Sequence, residues 1–150
     1  MKQPIPLLLP THVLLDADCG SKKRVFEQAG LLFEQHSGLA HTMIFDSLFA
    51  REKLGSTALG EGVAIPHGRI KGLKQALGAF IRLQTPIPFE SPDGKPVKLL
   101  FILLVPKAAT ELHLQILSEL ATRFAREQFR NDLSEALDPE RVCALFQSAI

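Results

Sequence analysis

The residues best equipped for chemistry fall in one stretch, Gly55 to Ile70, GSTALGEGVAIPHGRI. Gly55, Gly60, Gly62 and Gly68 surround a short apolar run, Val63-Ala64-Ile65, which ends on Pro66-His67-Gly68. This reads as a loop, a buried strand, and an abrupt stop that leaves an imidazole at the strand's end. Glycines on both sides permit positive φ angles and the close approach of a ligand or partner. His67 is therefore the candidate reactive group, either as a nucleophile or as a ligand-binding side chain.

Several familiar chemistries fail on the residues present. Gly55 to Gly60 has the glycine spacing of a P-loop, but Glu61 and Gly62 stand where the lysine and hydroxyl belong. A dinucleotide fingerprint would need a glycine at Ile65. No nucleophile elbow G-x-S-x-G occurs, so a serine hydrolase has no support. There is no HExxH, and His12, His36 and His41 show no ligand spacing with one another or with Cys19 and Cys143, so no metal is expected. The net charge of +1, from 17 basic and 16 acidic residues, gives no reason to propose nucleic acid or an anionic membrane as partner. Lys22-Lys23-Arg24 reads as a solvated first helical turn.

The elements that must position His67 come from apolar periodicity. Ser21 is the expected N-cap of a first helix with a stripe of Val25, Phe26, Ala29, Leu32 and Phe33, ending near Ser37-Gly38. A second runs from Leu39 to Leu54, its buried stripe passing through Ile44 and Leu48 to Arg51. Strands are expected at Leu77–Leu83 and Val97–Val105, the latter apolar enough to be covered on both faces. Pro86, Pro88 and Pro92-Asp93-Gly94 mark loop and turn. Thr110 is the expected cap of a third helix with His113, Ile116, Leu117, Leu120 and Phe124 on its stripe. A fourth spans Glu127–Leu137, and a fifth runs from Asp138 as cap, with Pro139 at its first position, through Ala149.

These elements imply one α/β domain over residues 1–150, a largely buried sheet flanked by helices on both faces, with strand order left open. Prolines interrupt the run from Pro4 to Pro10, which is neither a signal peptide nor a lipoprotein signal, and no apolar run approaches the roughly 18 residues of a membrane span. The expected location is the cytoplasm, with reduced cysteines.

Two residues are natural companions of His67. His113, in the first turn of its helix, is either a core histidine or a neutral donor to an anion, because a helix N-terminus disfavours imidazolium. Arg51 is either a surface residue with a snorkelling stem or a permanent charge whose fork suits phosphoryl oxygens. Chemistry alone reaches an anion or phosphoryl site around His67.

Longer motifs extend this reading. Arg51-Glu52-Lys53-Leu54-Gly55-Ser56-Thr57 followed by Val63-Ala64-Ile65-Pro66-His67-Gly68-Arg69 resembles the signature of mannitol/fructose-type enzyme IIA domains of the bacterial phosphotransferase system, most of all their nitrogen-regulatory branch. The likeness continues through Gly78–Leu83, Asp93–Val97, Leu103–Pro106 and His113–Leu120. It implies a mixed sheet with helices on both sides. It also implies that His67 accepts a phosphoryl group from an HPr-like phosphocarrier, that His113 hydrogen-bonds the group, and that Arg51 and Thr57 line the site. Neither metal nor nucleotide cofactor is required, since the donor is already an activated phosphoramidate. Gly62 and Gly68 would leave room for the partner's imidazole to approach within about 3–3.5 Å. Lys107 departs from the acidic residue common in relatives, which alters the charge of a docking surface. The resemblance implies a regulatory phosphorelay protein. Alternatives are a sugar-uptake component that passes phosphate to a separate IIB domain and, outside the family, a non-enzymatic anion-binding module.

Overall fold

Helices and strands begin and end where the backbone finds or loses hydrogen-bond partners. The computed structural model describes residues 8–108 and 110–148; the run up to Leu7 and Ala149, the expected last residue of the final helix, lie outside the described residues. A 3₁₀ turn at Pro10–His12 leads into β1 (Val13–Ala17). α1 (Lys22–Ser37) starts as expected on Ser21, whose hydroxyl accepts the Arg24 N–H at 3.2 Å, and closes on Gly38 at φ 77°.

α2 (His41–Leu54) begins two residues later than the sequence suggests. Its cap is borrowed: Glu34 of α1 accepts the His41 N–H at 3.0 Å, so Leu39 and Ala40 serve as an extended link. Three short strands follow, β2 (Ala58–Gly60), β3 (Val63–Ala64) and β4 (His67–Ile70). His67 thus opens a strand instead of ending one.

β5 (Leu77–Ile87) continues through Pro86, read above as loop. It is tolerated because the ladder to β6 (Val97–Pro106) is irregular between Arg82 and Ile87, where a missing N–H breaks no regular pairing. α3 (Thr110–Phe124) has Thr110 already helical and not as its cap. α4 (Glu127–Glu135) stops short of Leu137 because the buried Arg82 guanidinium takes the carbonyls of Leu133, Ser134 and Ala136 at 3.0, 3.2 and 2.7 Å. α5 (Pro139–Gln147) starts on Asp138, which accepts the Arg141 N–H at 2.8 Å.

The sheet is mixed, in the order β1-β5-β6-β3-β2, with β6 central. β5 runs antiparallel along one edge of β6. The other edge is shared by two strands in succession: β3 pairs in parallel with Leu99 and Leu100, then β4 with Leu103 to Pro106. Side chains of β6 alternate strictly from Leu99 to Val105. Leu100, Ile102 and Leu104 join the core under α1 and α2, with Phe26, Phe33, Ile44 and Leu48. Leu99, Phe101, Leu103 and Val105 join the core under α3 to α5, with Ile116, Leu120, Phe124 and Phe146. The expected buried sheet with helices on both faces is what forms. Among the described residues no helix is long and apolar enough to cross a membrane.

The same alternation orients β4. Gly68 and Ile70 face α2, which leaves His67 and Arg69 on the α3 face. A Cβ at Gly68 would collide with the Ser47 hydroxyl and come within 3.2 Å of its Cβ, so α2 lies directly on the β4 backbone. Gly68→Ala should therefore destabilise the protein by about 1–3 kcal/mol through overpacking. Denaturant unfolding will measure this, and the loss should be smaller when Ser47→Ala is introduced alongside it.

Candidate functional site

Pro66 shapes the environment of His67. Its carbonyl accepts the Leu103 N–H at 2.9 Å, but it has no N–H of its own to complete the pairing with β6. The ladder lapses between β3 and β4 without a change of register, and the Ile65 carbonyl lies 2.8 Å from His67 Nδ1. A carbonyl can only accept, so Nδ1 carries the proton and Nε2 is the bare nitrogen of the neutral ring.

The neighbouring ring is His113, from the first turn of α3. The two centroids are 4.9 Å apart with planes at 63°, an edge-on approach. His113 Nε2 is buried with no hydrogen-bond partner among the described residues, so one polar atom beside His67 is unmet. That marks His113 as something other than a satisfied core histidine.

Both rings are held neutral. Burial is the main cause for His67, whose pKa lies below 6.5; the Ile65 carbonyl and Glu52 draw it upward, and Arg51 pushes it down. His113 is pushed down to about 4, first by burial and then by His67, Arg69 and Arg51. The helix terminus invoked from sequence is not needed to explain this. Arg51 thus lies within electrostatic reach of both rings, with its Nη1 donating to the Gly55 carbonyl at 2.8 Å.

The remaining expected residues fall elsewhere. Thr57 is buried one step behind: its hydroxyl donates to Glu52 Oε1 at 2.6 Å, its N–H to Oε2 at 3.2 Å, and its carbonyl accepts the Ile65 N–H at 3.0 Å. Gly68 clears no path for a partner, because Ser47 occupies the space its side chain would take. Gly62 serves the turn before β3 at φ 79°, and its carbonyl takes the N–H groups of Lys98 and Leu99 at 2.9 and 3.0 Å. Among the described residues no three His, Cys, Asp or Glu side chains gather as a metal site.

Sequence reasoning overlooked Glu52 and Arg69. The face through Ile44 and Leu48 can continue to position 51 or 52, and the buried residue is Glu52, at 7% exposure, while Arg51 is half-buried. Lys22, expected in solvent, donates to Glu52 at 2.8 Å and to Glu90 at 2.7 Å. The adjacent opposite charges Arg51-Glu52 at the end of an amphipathic helix were the available signal. Arg69 follows from period two along β4, which puts it on the His67 face.

Comparison with known proteins places the chain among relatives. The family described as "Phosphoenolpyruvate-dependent sugar phosphotransferase system, EIIA 2" matches residues 7–149. A "Nitrogen regulatory protein" of Pseudomonas aeruginosa is 43% identical over 96% of this chain and 92% of its own length. The crystal structure of the nitrogen regulatory protein IIA-Ntr from Neisseria meningitidis shares 55% identity with a TM-score of 0.90, covering 94% of this chain and 97% of that one. The IIA mannitol structure from Escherichia coli, at 20% identity, has a TM-score of 0.76 over 90% of this chain and 95% of that one, and shows the same fold.

The depressed histidines have a consequence for stability. An unfolded histidine titrates near 6.5 and folded His113 near 4, so across that window the unfolded chain binds more protons and stability falls as pH drops. His67 and His12, both lowered chiefly by burial, act in the same direction. NMR titration should find the His113 ring neutral until about pH 4. His113→Gln should flatten the acid side of the stability profile measured by denaturant unfolding.

Proposed function

The chain belongs to the EIIA 2 family of the phosphoenolpyruvate-dependent sugar phosphotransferase system, and we propose that it takes a phosphoryl group onto Nε2 of His67 from an HPr-like phosphocarrier. Family membership makes it a phosphorelay protein that works through a phosphohistidine. The observation that carries the assignment to His67 is the 2.8 Å contact of its Nδ1 with the Ile65 carbonyl, which leaves a bare Nε2 beside His113.

The step balances without a proton transfer between the rings. The Nε2 lone pair attacks phosphorus in line as the donor's P–N bond breaks. The donor's phosphoimidazolium departs as neutral imidazole, and His67 becomes the phosphoimidazolium, its Nδ1 proton still held by Ile65. Positioning and charge stabilisation are what the protein must add. Arg51 supplies a permanent cation toward the phosphoryl oxygens, and Arg69 adds a second charge on the same face. The unmet Nε2 of His113, as an N–H, would donate to a phosphoryl oxygen; its low pKa keeps it a neutral donor. Glu52 is near enough to favour positive charge on His67 once phosphorylated.

The phosphoryl group itself would bring about −1.5 to −2 charge, by analogy with other phosphorylated side chains, partly offset by the positive charge of the imidazolium it creates. On a chain of net charge +1 that leaves a sum near zero, with a concentrated negative group at one face. Such a change of local charge can control the binding of target proteins, and the nitrogen-regulatory names of the relatives support a regulatory output over a purely metabolic one.

The test is label from phosphoenolpyruvate, passed through a general enzyme and phosphocarrier. Wild type should gain one phosphoryl group on Nε2 of His67, read by mass spectrometry and phosphorus NMR, and His67→Ala should gain none. Normal labelling of His67→Ala overturns the assignment. Arg51→Gln should slow transfer about 100-fold, as expected for loss of a charge-stabilising donor. His113→Ala should slow it with the fold retained. Efficient onward transfer to a sugar-specific IIB would move the reading toward sugar uptake.

A further inference from the structure

A carboxylate as buried as that of Glu52 is costly to retain unless its oxygens are fully used. Its side chain is 4% exposed, and donors from two separate segments converge on it. Oε1 accepts the Thr57 hydroxyl at 2.6 Å. Oε2 accepts the Thr57 N–H at 3.2 Å and Lys22 Nζ at 2.8 Å. Lys22 is itself held, by Glu90 and by the face of Phe89, 4.6 Å from its centroid. The carboxylate is therefore fixed in place, and it fixes Thr57 by both side chain and backbone.

The bonds continue from there in one direction. Thr57 offers its carbonyl to the Ile65 N–H at 3.0 Å, and Ile65 offers its own carbonyl to His67 Nδ1 at 2.8 Å. Ile65 is outside the β3 ladder and precedes a proline, so the Thr57 carbonyl fixes its N–H, and the carbonyl on the other side of the same Cα is aimed from that anchor. If Ile65 turned away from that anchor, Nδ1 would lose its acceptor and the proton could reside on Nε2, the nitrogen that must be bare.

We propose that Glu52 is a positioning residue for His67: through Thr57 and Ile65 it fixes the imidazole tautomer that exposes the Nε2 lone pair. The proposal rests on the reading of His67 as the phosphoryl acceptor. Glu52 touches neither phosphoryl group nor partner; it acts through two intervening residues. A purely structural role would cost stability and leave the tautomer unchanged.

The experiment uses the full chain labelled with nitrogen-15 and the Glu52→Gln variant, which keeps shape but loses charge. Long-range proton–nitrogen NMR of the imidazoles should show wild-type His67 protonated on Nδ1 alone. In folded Glu52→Gln the Nε2-protonated form should become visible. Its phosphorylation rate at saturating phosphocarrier should fall about tenfold, the scale of losing an outer partner of a functional histidine. The half-saturating phosphocarrier concentration should not change, since the substitution is internal. Thr57→Val, which removes only the hydroxyl arm, should shift both readouts the same way to a smaller extent. An unchanged tautomer in folded Glu52→Gln overturns the proposal even if the rate falls. If that variant does not fold, an unchanged tautomer and rate in Thr57→Val overturns it. The tautomer is read without any partner, so failure of wild type to take label would strike the proposed function and leave this inference separately decided.

Discussion

A proline without an N–H between two strands that share one edge of β6 is the constraint on which the rest depends. β6 offers one continuous edge, and a single long strand would pair with it at lower conformational cost than two short ones. Pro66 removes the N–H that would close it. β3 and β4 keep one register on β6, and the ladder lapses only at Ile65 and Pro66, where the Ile65 carbonyl meets His67 Nδ1.

Much of the frame was legible in the sequence because it rests on local rules. Ser21 and Asp138 were visible as caps, the stripe from Val25 to Phe33 was visible as a buried helical face, and the run of β6 could only be central. What stayed hidden depended on partners far away in sequence. The start of α2 is set by Glu34 in another helix, and the end of α4 by Arg82 from β5. Neither has a signature at the position it controls.

The site divides in the same way. His67 stood out through its motif, and His113 through its place on an otherwise apolar stripe. Glu52 was obscured because positions three and four after Leu48 lie on one helical face, and period alone does not choose between an arginine and a glutamate. Burial favoured the carboxylate since Lys22 and Thr57 could satisfy it, whereas Arg51 needed only the Gly55 carbonyl and could lean outward. The glycines carry a related lesson. Gly68 reads as clearance for a visitor, yet the space it leaves is filled by the protein's own α2. This packs Ser47, in the helix that carries Arg51 and Glu52, directly on the strand of His67.

The hydrogen bond from Nδ1 to Ile65 also bears on time. A ring phosphorylated on Nε2 that keeps its Nδ1 proton is held in the cationic form, in which the phosphorus–nitrogen bond is most easily broken, by a partner or by water. If His67 is the acceptor proposed above, the carbonyl that leaves its Nε2 bare would therefore also limit how long the group persists. A relay protein built this way would report the present supply of phosphoryl donor and keep little memory of an earlier one.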